Sequence, residues 1–528
     1  MKCYFSNYIY FIIIFLFFST TDNTATVISV FPEINSCTNH NQDYYCKPQQ
    51  PSDIIYSIEP FYDFNEMRLI VVLEFKGDKS GETKIMLPNN FSGNHDINGI
   101  KYLKVLSPNS YILDTDNADM KLIKHVPNAD LKIYYQVCDI RDGDLDAQNY
   151  LMTIINKQYF HFFGETFFIV PIWNNGEEVN FRLSWSHLPY NWTFINSFGI
   201  NENFQEFKAP IWKFLHSAFA GGDFTIKRRF IGQDQIYTAV RGRWKFPEDQ
   251  LCDIIRDISI EERNFWNDHN YPYFLVIVLP LNVNNNQCGK SHSNSLSLFL
   301  SADRSIDFKL KQIIAHETFH SWLGEKINFS QPELLLYWFK EGFCDYYTRL
   351  ILLRASLISL SEYAEDYNNV LEQYFTSSVR YEKNDGLLNE FWNNSDWHSL
   401  PYLRGDIIAH NLNSVIMINS GWKKSLDDLM RDLLKRTQNE SLVVSNGSLI
   451  ALIRFYAGEA PLADIMRVLN SGTILRVNPD ALGSAFNIEQ NSRRKFWLFG
   501  ELYEIPIYIA KDPDHLANKD LLLWFGIQ

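Results

Sequence analysis

Two histidines separated by three residues lie in an apolar stretch of the chain. Within residues 313–323 the order is His316, Glu317, two further residues and then His320. The apolar side chains of this stretch predict a buried helix, and neither proline nor glycine interrupts it before Gly324. Residues four apart lie on one face of a helix, so both imidazoles could bind one metal ion, with Glu317 beside them as a general base.

A catalytic zinc ion requires a third protein ligand and one open position. The apolar, helix-like residues 338–347 contain Glu341 and, four positions later, Asp345. We predict that Glu341 is the third zinc ligand. We predict that Asp345 accepts a hydrogen bond from the other ring nitrogen of a ligand histidine. In the alternative interpretation, the histidines are ordinary core residues and Glu341 is a helix surface charge.

These two stretches carry a resemblance to known enzymes. It rests on two motifs, which are His316-Glu317-x-x-His320 and Trp338-x-x-Glu341-Gly342-Phe343. They resemble the gluzincin zinc metallopeptidases, in particular the glycyl aminopeptidase family (metallopeptidase family sixty-one) and, more distantly, aminopeptidase N-like enzymes. The resemblance implies one zinc ion and peptide substrates.

The resemblance continues in a later segment. Tyr402-x-Arg404-Gly405 is similar to the Tyr-x-Lys/Arg-Gly of these enzymes, whose tyrosine binds the oxyanion, and this implies the same role for Tyr402. Residues 397–406 are expected to interrupt a helical region and to precede a new helix. We interpret His398 as a surface loop residue, with a proton shuttle as the alternative.

A third segment departs from the family pattern. Residues 289–295 are similar to the family segment Gly-Leu-Glu-His-x-Asn-Ser. In that segment the glutamate is expected to hold the free α-amine of the substrate. The resemblance therefore assigns Gly289, Ser291 and His292 to substrate binding. Ser291 stands where the glutamate is expected, and a hydroxyl cannot replace the charge-assisted hydrogen bond of a carboxylate. A plain polar turn is the alternative. The following stretch, residues 295–300, is predicted to be the edge strand that binds extended substrate.

The order of predicted elements indicates an α+β multidomain fold. Strand-like stretches at residues 67–75, 131–137 and 167–170 predict an N-terminal β-sandwich-like domain over residues 25–185. We expect a thermolysin-like (gluzincin) catalytic domain over residues 186–436. A mainly helical C-terminal region, without a PDZ domain, is expected over residues 437–528.

The first 22 residues predict a signal peptide, because a short apolar run follows the initial lysine. The mature protein is then expected to be secreted, periplasmic or lumenal, without an integral membrane segment. A net charge of -14 argues against nucleic acids and anionic membranes as partners. The cysteines form no C-x-x-C pair, which argues against a cysteine-ligated zinc. Cys37 and Cys46 could close a short loop. The other cysteines are expected to be buried free thiols.

The favoured function is a zinc-dependent peptidase, aminopeptidase-like with altered recognition of the N-terminal amine. Two alternatives remain open. One is an endopeptidase or a hydrolase of short peptides. The other is a catalytically inactive secreted binding protein with a gluzincin fold.

Overall fold

The computed structural model describes residues 53–63, 66–89, 96–141, 143–173, 178–271, 273–282, 287–440, 442–494, 502–511 and 524–527. The predicted signal peptide and the pair Cys37 and Cys46 lie outside these ranges. The cysteines inside them, Cys138, Cys252, Cys288 and Cys344, are buried free thiols, as predicted. None of the described helices combines the length and hydrophobicity that crossing a bilayer requires.

The N-terminal part of the described chain consists mainly of strands. Buried and more exposed side chains alternate along them, because one face of each sheet covers the core. The predicted strands at residues 67–75 and 131–137 are present, whereas the apolar run 167–170 joins a short helix to a short strand. In chain order the elements are β1 (Asp53–Tyr62), β2 (Met67–Lys76), β3 (Glu82–Met86), β4 (Ile100–Val105), β5 (Tyr111–Asp114), β6 (Met120–Lys124), β7 (Asp130–Cys138), β8 (Ile154–Ile155), β9 (Tyr159–Phe163), α1 (Gly164–Phe167), β10 (Val170–Pro171), β11 (Val179–Trp185), β12 (Thr193–Asn196), β13 (Gly199–Ile200), β14 (Phe204–Ala209), α2 (Ile211–Leu215) and β15 (Ala218–Gly222).

These strands form three sheets. Their strand orders are β14-β11-β1-β2-β7-β4, β10-β3-β6-β5 and β13-β12-β15-β9-β8. Side chains from all three sheets meet in one apolar core, for example Leu73 of β2, Ile85 of β3 and Phe162 of β9. The N-terminal sheets therefore pack against one another around a shared interior.

The next part of the chain forms a five-stranded sheet with the order β16-β17-β18-β20-β19. The predicted edge strand at residues 295–300 is therefore wrong, because that segment is β20 and lies between β18 and β19. The true edge strand is β19, whose polar sequence is typical of a turn. The elements are β16 (Thr225–Ile231), β17 (Asp234–Val240), α3 (Glu248–Trp266), β18 (Tyr273–Leu281), β19 (Gln287–His292) and β20 (Ser295–Ser301).

The five-stranded sheet lies between two apolar cores. On one face, Leu275 and Phe299 pack with Phe163 of the N-terminal sheets. On the other face, Leu298 packs with Leu310 of the helical part. The edge strand β19 is consequently buried along its whole length, although most of its residues are polar.

The C-terminal half of the described chain is mainly helical and ends in a hairpin. The predicted interruption at residues 397–406 is wrong, because one helix runs through this segment with Pro401 inside it. Packing of the buried residues around the proline holds the helix together. The elements are α4 (Phe308–Phe319), α5 (Tyr337–Arg354), α6 (Leu360–Thr376), α7 (Leu387–Glu390), α8 (Ser395–Asn419), α9 (Leu426–Glu440), α10 (Asn446–Ala457), α11 (Glu459–Ser471), β21 (Phe486–Arg494) and β22 (Leu502–Ala510). The whole is a mixed α+β multidomain architecture, as predicted.

Helices α5 and α8 approach each other at two glycines. A Cβ atom on Gly405 would lie 1.7 Å from the carbonyl oxygen of Trp338, and one on Gly342 would lie 2.3 Å from the Cα atom of Gly405. Any side chain at either position would push the helices apart. This contact matters for the site described below, because Glu341 precedes Gly342 and Tyr402 lies one turn before Gly405.

We predict that Gly405→Ala destabilises the protein by about 2 kcal/mol or more, since overpacking a helix contact forces backbone shifts. Gly447→Ala is the matched control, because Gly447 is an exposed residue of α10 and its added Cβ atom would meet only an ordinary contact at 3.7 Å. That control should stabilise slightly or change nothing. Thermal unfolding of both variants is the measurement, and equal midpoints would contradict this account of the contact.

Candidate metal centre and active site

Helix α4 carries the two histidines on one face. The side chain of Asp307 caps its first turn by accepting a hydrogen bond from the amide of Leu310. The helix proper ends at Phe319, but His320 keeps helical dihedral angles (φ -66°, ψ -13°). His316 and His320 therefore stay one turn apart and point the same way.

The structure brings three metal-binding atoms together. The Nε2 atoms of His316 and His320 lie 3.1 Å apart. A carboxylate oxygen of Glu341 lies 3.4 Å from the first and 3.5 Å from the second. Ligand atoms that share a tetrahedral zinc ion at about 2.0–2.1 Å lie about 3.3 Å from one another, so this triangle has the size that one such ion requires.

Both histidines are oriented through their other ring nitrogen. The Nδ1 atom of His316 lies 2.8 Å from a carboxylate oxygen of Asp345, and the Nδ1 atom of His320 lies 2.8 Å from the carbonyl oxygen of Leu323. Because a carbonyl oxygen only accepts, Nδ1 of His320 carries the proton and donates it. Its Nε2 atom is then an acceptor that can bind a metal ion, and the contact with Asp345 fixes the orientation of the His316 ring.

The carboxylate of Glu341 is completely buried. Neither of its oxygens receives a hydrogen bond from the residues that the structure describes. Burial alone would raise the pKa of this carboxyl, but the nearby imidazoles of His320 and His316 lower it well below its usual range. The carboxylate is therefore ionised, and a buried ionised carboxylate beside two imidazole nitrogens is a donor set that fits a zinc ion.

Cys344 offers a competing ligand atom. Its sulfur and the ring nitrogens of His316 and His320 lie within 4.8 Å of one another. However, the thiol donates to the backbone carbonyl of His316 at 3.4 Å, and burial raises its pKa to about 12. We therefore favour Glu341, which is already ionised, over Cys344 as the third ligand.

Glu317 lies between the metal-binding residues and β19. The backbone amide of Ser291 donates to its carboxylate at 3.0 Å. A Cβ atom on Gly289 would lie 2.9 Å from the Cγ atom of Glu317, so the glycine leaves room for this side chain. Gly289 and Ser291 thus lie on the α4 side of β19, and the amide of Ser291 orients Glu317.

The opposite side of β19 meets the N-terminal sheets. Side chains alternate along a strand, so Lys290 and His292 share this side. The ring of His292 stacks on Phe163 at 4.0 Å, and its Nε2 atom lies 3.6 Å from a carboxylate oxygen of Glu165 in α1. The sequence analysis did not single out Lys290 or Glu165. The alternation around Gly289 would have placed Lys290 on this side, had residues 287–292 been recognised as a strand.

Tyr402 lies on α8 beside the metal-binding residues. Its ring centre is 6.4 Å from that of His316, with the two planes 23° apart. Burial, and then the Glu341 carboxylate, raise the pKa of its phenol well above the usual value. The phenol therefore stays protonated at neutral pH and can donate a hydrogen bond. The sequence alone could not show that this side chain faces the histidines.

His398 is not a surface loop residue, contrary to our prediction. It lies within α8, is buried, and stacks on Tyr402 with ring centres 5.7 Å apart. Burial lowers its pKa to about 4, so the imidazole is neutral at physiological pH. The wrong prediction for His398 has the same cause as the predicted interruption at residues 397–406. Pro401 suggested a break, whereas the helix continues through it.

We predict that Asp345→Ala weakens zinc binding by about 10–100-fold, because His316 loses the acceptor that fixes its orientation. His320→Ala should lose the ion altogether at micromolar zinc, since two ligands remain. The control is Asp385→Ala, which removes an exposed carboxylate from another part of the chain. Competition with a chelating dye measures the three affinities, and an unchanged affinity in Asp345→Ala would make Asp345 a helix surface charge.

A family model matches the part of the chain that carries these residues. Residues 309–385, which include the two histidines, Glu317, Glu341 and Asp345, match the model of the M61 glycyl aminopeptidase family. No curated protein matches the chain in sequence.

Solved structures share the fold. An aminopeptidase N family protein from Idiomarina loihiensis is similar with a TM-score of 0.67 and 16% identity, over 83% of this chain and 79% of that one. An M1 zinc metallopeptidase from Deinococcus radiodurans reaches a TM-score of 0.51 at 12% identity, over 81% of this chain and 96% of that one. Yeast LTA4 hydrolase in complex with bestatin reaches a TM-score of 0.50 at 15% identity, over 81% of this chain and 69% of that one. The predicted resemblance to the glycyl aminopeptidase family is confirmed by the match over residues 309–385, and the similarity to these solved structures shows the fold.

Proposed function

We propose that the protein hydrolyses peptide bonds with one zinc ion held by His316, His320 and Glu341. The observation that carries this proposal is the triangle of ligand atoms with sides of 3.1, 3.4 and 3.5 Å. A zinc ion bound there would polarise a substrate carbonyl and lower the pKa of a water molecule toward about 7. The protein's own side chains would perform the remaining steps.

Glu317 is the proposed general base and acid. It would take a proton from the attacking water and pass it to the nitrogen of the leaving amine. One carboxylate oxygen accepts the amide of Ser291 at 3.0 Å, which fixes the orientation of the carboxyl group. If the substrate also binds along β19, the same strand would position both the base and the substrate.

Tyr402 is the proposed oxyanion donor. Its protonated phenol lies on α8, across from the helix that carries Glu317. A donor directed at the developing oxyanion contributes about 3 kcal/mol to transition-state stabilisation. The ring of His398 stacks on the ring of Tyr402, with ring centres 5.7 Å apart.

We further propose that an extended peptide binds along β19. Among the described strands, only β20 pairs with β19, so the other edge of β19 can bind a substrate strand. Gly289, Ser291 and His292 would line this site, in an aminopeptidase-like enzyme whose recognition of the N-terminal amine is altered. An endopeptidase or short-peptide hydrolase is the second candidate, favoured by the neutral Ser291. An inactive binding protein is disfavoured, because the proposed metal ligands, the base Glu317 and the donor Tyr402 are all present in one site.

Two finer assignments belong to the same proposal. The catalytic region is taken to be thermolysin-like, because a sheet with a substrate-binding edge strand precedes the helix that carries both histidines. The mature protein is taken to be secreted, periplasmic or lumenal, on the strength of the apolar N-terminal run.

Glu317→Gln should abolish turnover while zinc remains bound, because the amide keeps the shape of the carboxylate but cannot accept a proton. Peptide hydrolysis and metal content are measured on the same sample. Full activity at full metal content would remove Glu317 as the base.

Tyr402→Phe should lower kcat by about a hundredfold or more with little change in zinc affinity, because only one hydrogen-bond donor is lost. Tyr190→Phe is the matched control, since the side chain of Tyr190 is fully exposed. A loss below about threefold in Tyr402→Phe would assign Tyr402 to packing.

A further inference from the structure

A row of aromatic rings leads from the metal-binding residues to the protein surface. The ring of Tyr402, which neighbours that of His316, stacks on His398 with the two planes 16° apart. His398 in turn stacks on Phe391, with ring centres 4.6 Å apart. The ring of Trp392 stands at 88° to that of Phe391 at 4.7 Å, and its centre lies 6.4 Å from that of His398. Each ring of the row therefore packs against the next.

The row is buried in its middle and open at its ends. His398 and Phe391 are buried, whereas Tyr402 is partly exposed and Trp392 is 51% exposed. Tyr337, the first residue of α5, packs against Phe391 with ring centres 5.4 Å apart and planes 78° apart. Buried neighbours thus fix the rings that carry Trp392. A large aromatic surface that is held in place and still open to solvent is typical of a binding site.

The open ring of Trp392 lies within reach of a substrate bound at the metal centre. Its centre is at most about 12 Å from that of Tyr402, because the centre of His398 lies 6.4 Å from the first and 5.7 Å from the second. An extended chain advances about 3.3–3.6 Å per residue. A side chain about two or three positions from the cleaved bond therefore covers this distance.

The chemistry of the row suits an apolar side chain. Phe391 and Trp392 carry no charge, and His398 is neutral at physiological pH because burial lowers its pKa to about 4. Leu387 and Tyr337 belong to the same apolar cluster as Phe391. Aromatic rings bind aromatic and large aliphatic side chains by stacking and by removing apolar surface from water. A charged substrate side chain would find no opposite charge among these rings.

We propose that Trp392, backed by Phe391 and His398, forms a substrate subsite for an aromatic or large aliphatic side chain about two or three residues from the cleaved bond. This inference rests on the proposed peptidase function and adds the side-chain preference that the metal-binding residues do not determine. Phe391 and His398 are positioning residues, since they act through the rings of Trp392 and Tyr402. A dipeptide is too short to reach this subsite, so the enzyme should favour longer peptides.

The first test moves one phenylalanine through a peptide of alanine and serine, from three residues before the cleaved bond to three after it. Mass spectrometry identifies the cleaved bond. Phenylalanine two or three residues from that bond, on one side of it, should raise kcat/KM about tenfold or more over alanine. Lysine at the same position should not.

Variants of Trp392 then show whether this residue causes the preference. Trp392→Ala should lower kcat/KM for the phenylalanine peptide about tenfold more than for the alanine peptide, and Trp392→Phe should have a smaller effect of the same kind. Trp422→Ala is the matched control, because Trp422 is 54% exposed and follows the end of α8 that lies away from His398. It should keep the wild-type preference. A wild type that prefers lysine or has no preference, or a Trp392→Ala variant that retains the preference, would overturn the subsite.

The second test measures binding without turnover. Calorimetry with zinc-loaded Glu317→Gln should show that the phenylalanine peptide binds about tenfold more tightly than the alanine peptide. Adding Trp392→Ala to this variant should make the two affinities nearly equal. Equal affinities in Glu317→Gln itself would overturn the subsite, even if Trp392→Ala fails to fold. A wild type that cleaves no peptide would refute the proposed function, and the calorimetry would still decide the role of Trp392.

Discussion

The buried carboxylate of Glu341 is the constraint on which the rest of this site depends. A fully buried ionised group costs several kcal/mol unless opposite charge or hydrogen bonds compensate it. Within the described residues its oxygens receive no hydrogen bond, and the Nε2 atoms of His316 and His320 lie 3.4 and 3.5 Å from one of these oxygens. The Nδ1 atom of His320 donates to a backbone carbonyl, so the Nε2 atom of this imidazole is an acceptor that can bind a cation beside Glu341. A bound cation resolves this conflict for all three groups at once.

The surrounding elements hold this arrangement in place. Helix α4 supplies the histidines, and α5 supplies Glu341 together with Asp345. The close approach of α5 and α8 at Gly342 and Gly405 sets the distance between Glu341 and Tyr402, and the buried ion pair of Arg349 with Asp406 connects the same two helices at 2.9 Å. Strand β19 completes the site, because the backbone amide of Ser291 donates to the carboxylate of Glu317.

The sequence alone predicted which side chains of one helix lie together, because helical spacing determines which side chains share a face. His316 and His320 share a face as soon as their stretch forms a helix. Asp345 likewise lies one helical turn after Glu341. The sequence did not predict features that depend on tertiary packing. Strand β19 is polar and was not predicted to be a strand, since the sheets and the helix that bury it come from distant parts of the chain. Helix α8 continues through Pro401 because its neighbours hold it, and this also explains the burial of His398.

The identity of the third ligand is the central claim, and X-ray absorption at the zinc edge tests it most directly. Histidine nitrogens and a carboxylate oxygen lie about 2.0–2.1 Å from zinc, whereas a thiolate sulfur lies at about 2.3 Å. The wild-type protein loaded with one equivalent of zinc should show only nitrogen and oxygen neighbours, and Cys344→Ala should give the same spectrum. A sulfur neighbour near 2.3 Å that disappears in Cys344→Ala would contradict the assignment of Glu341 and give its place to Cys344.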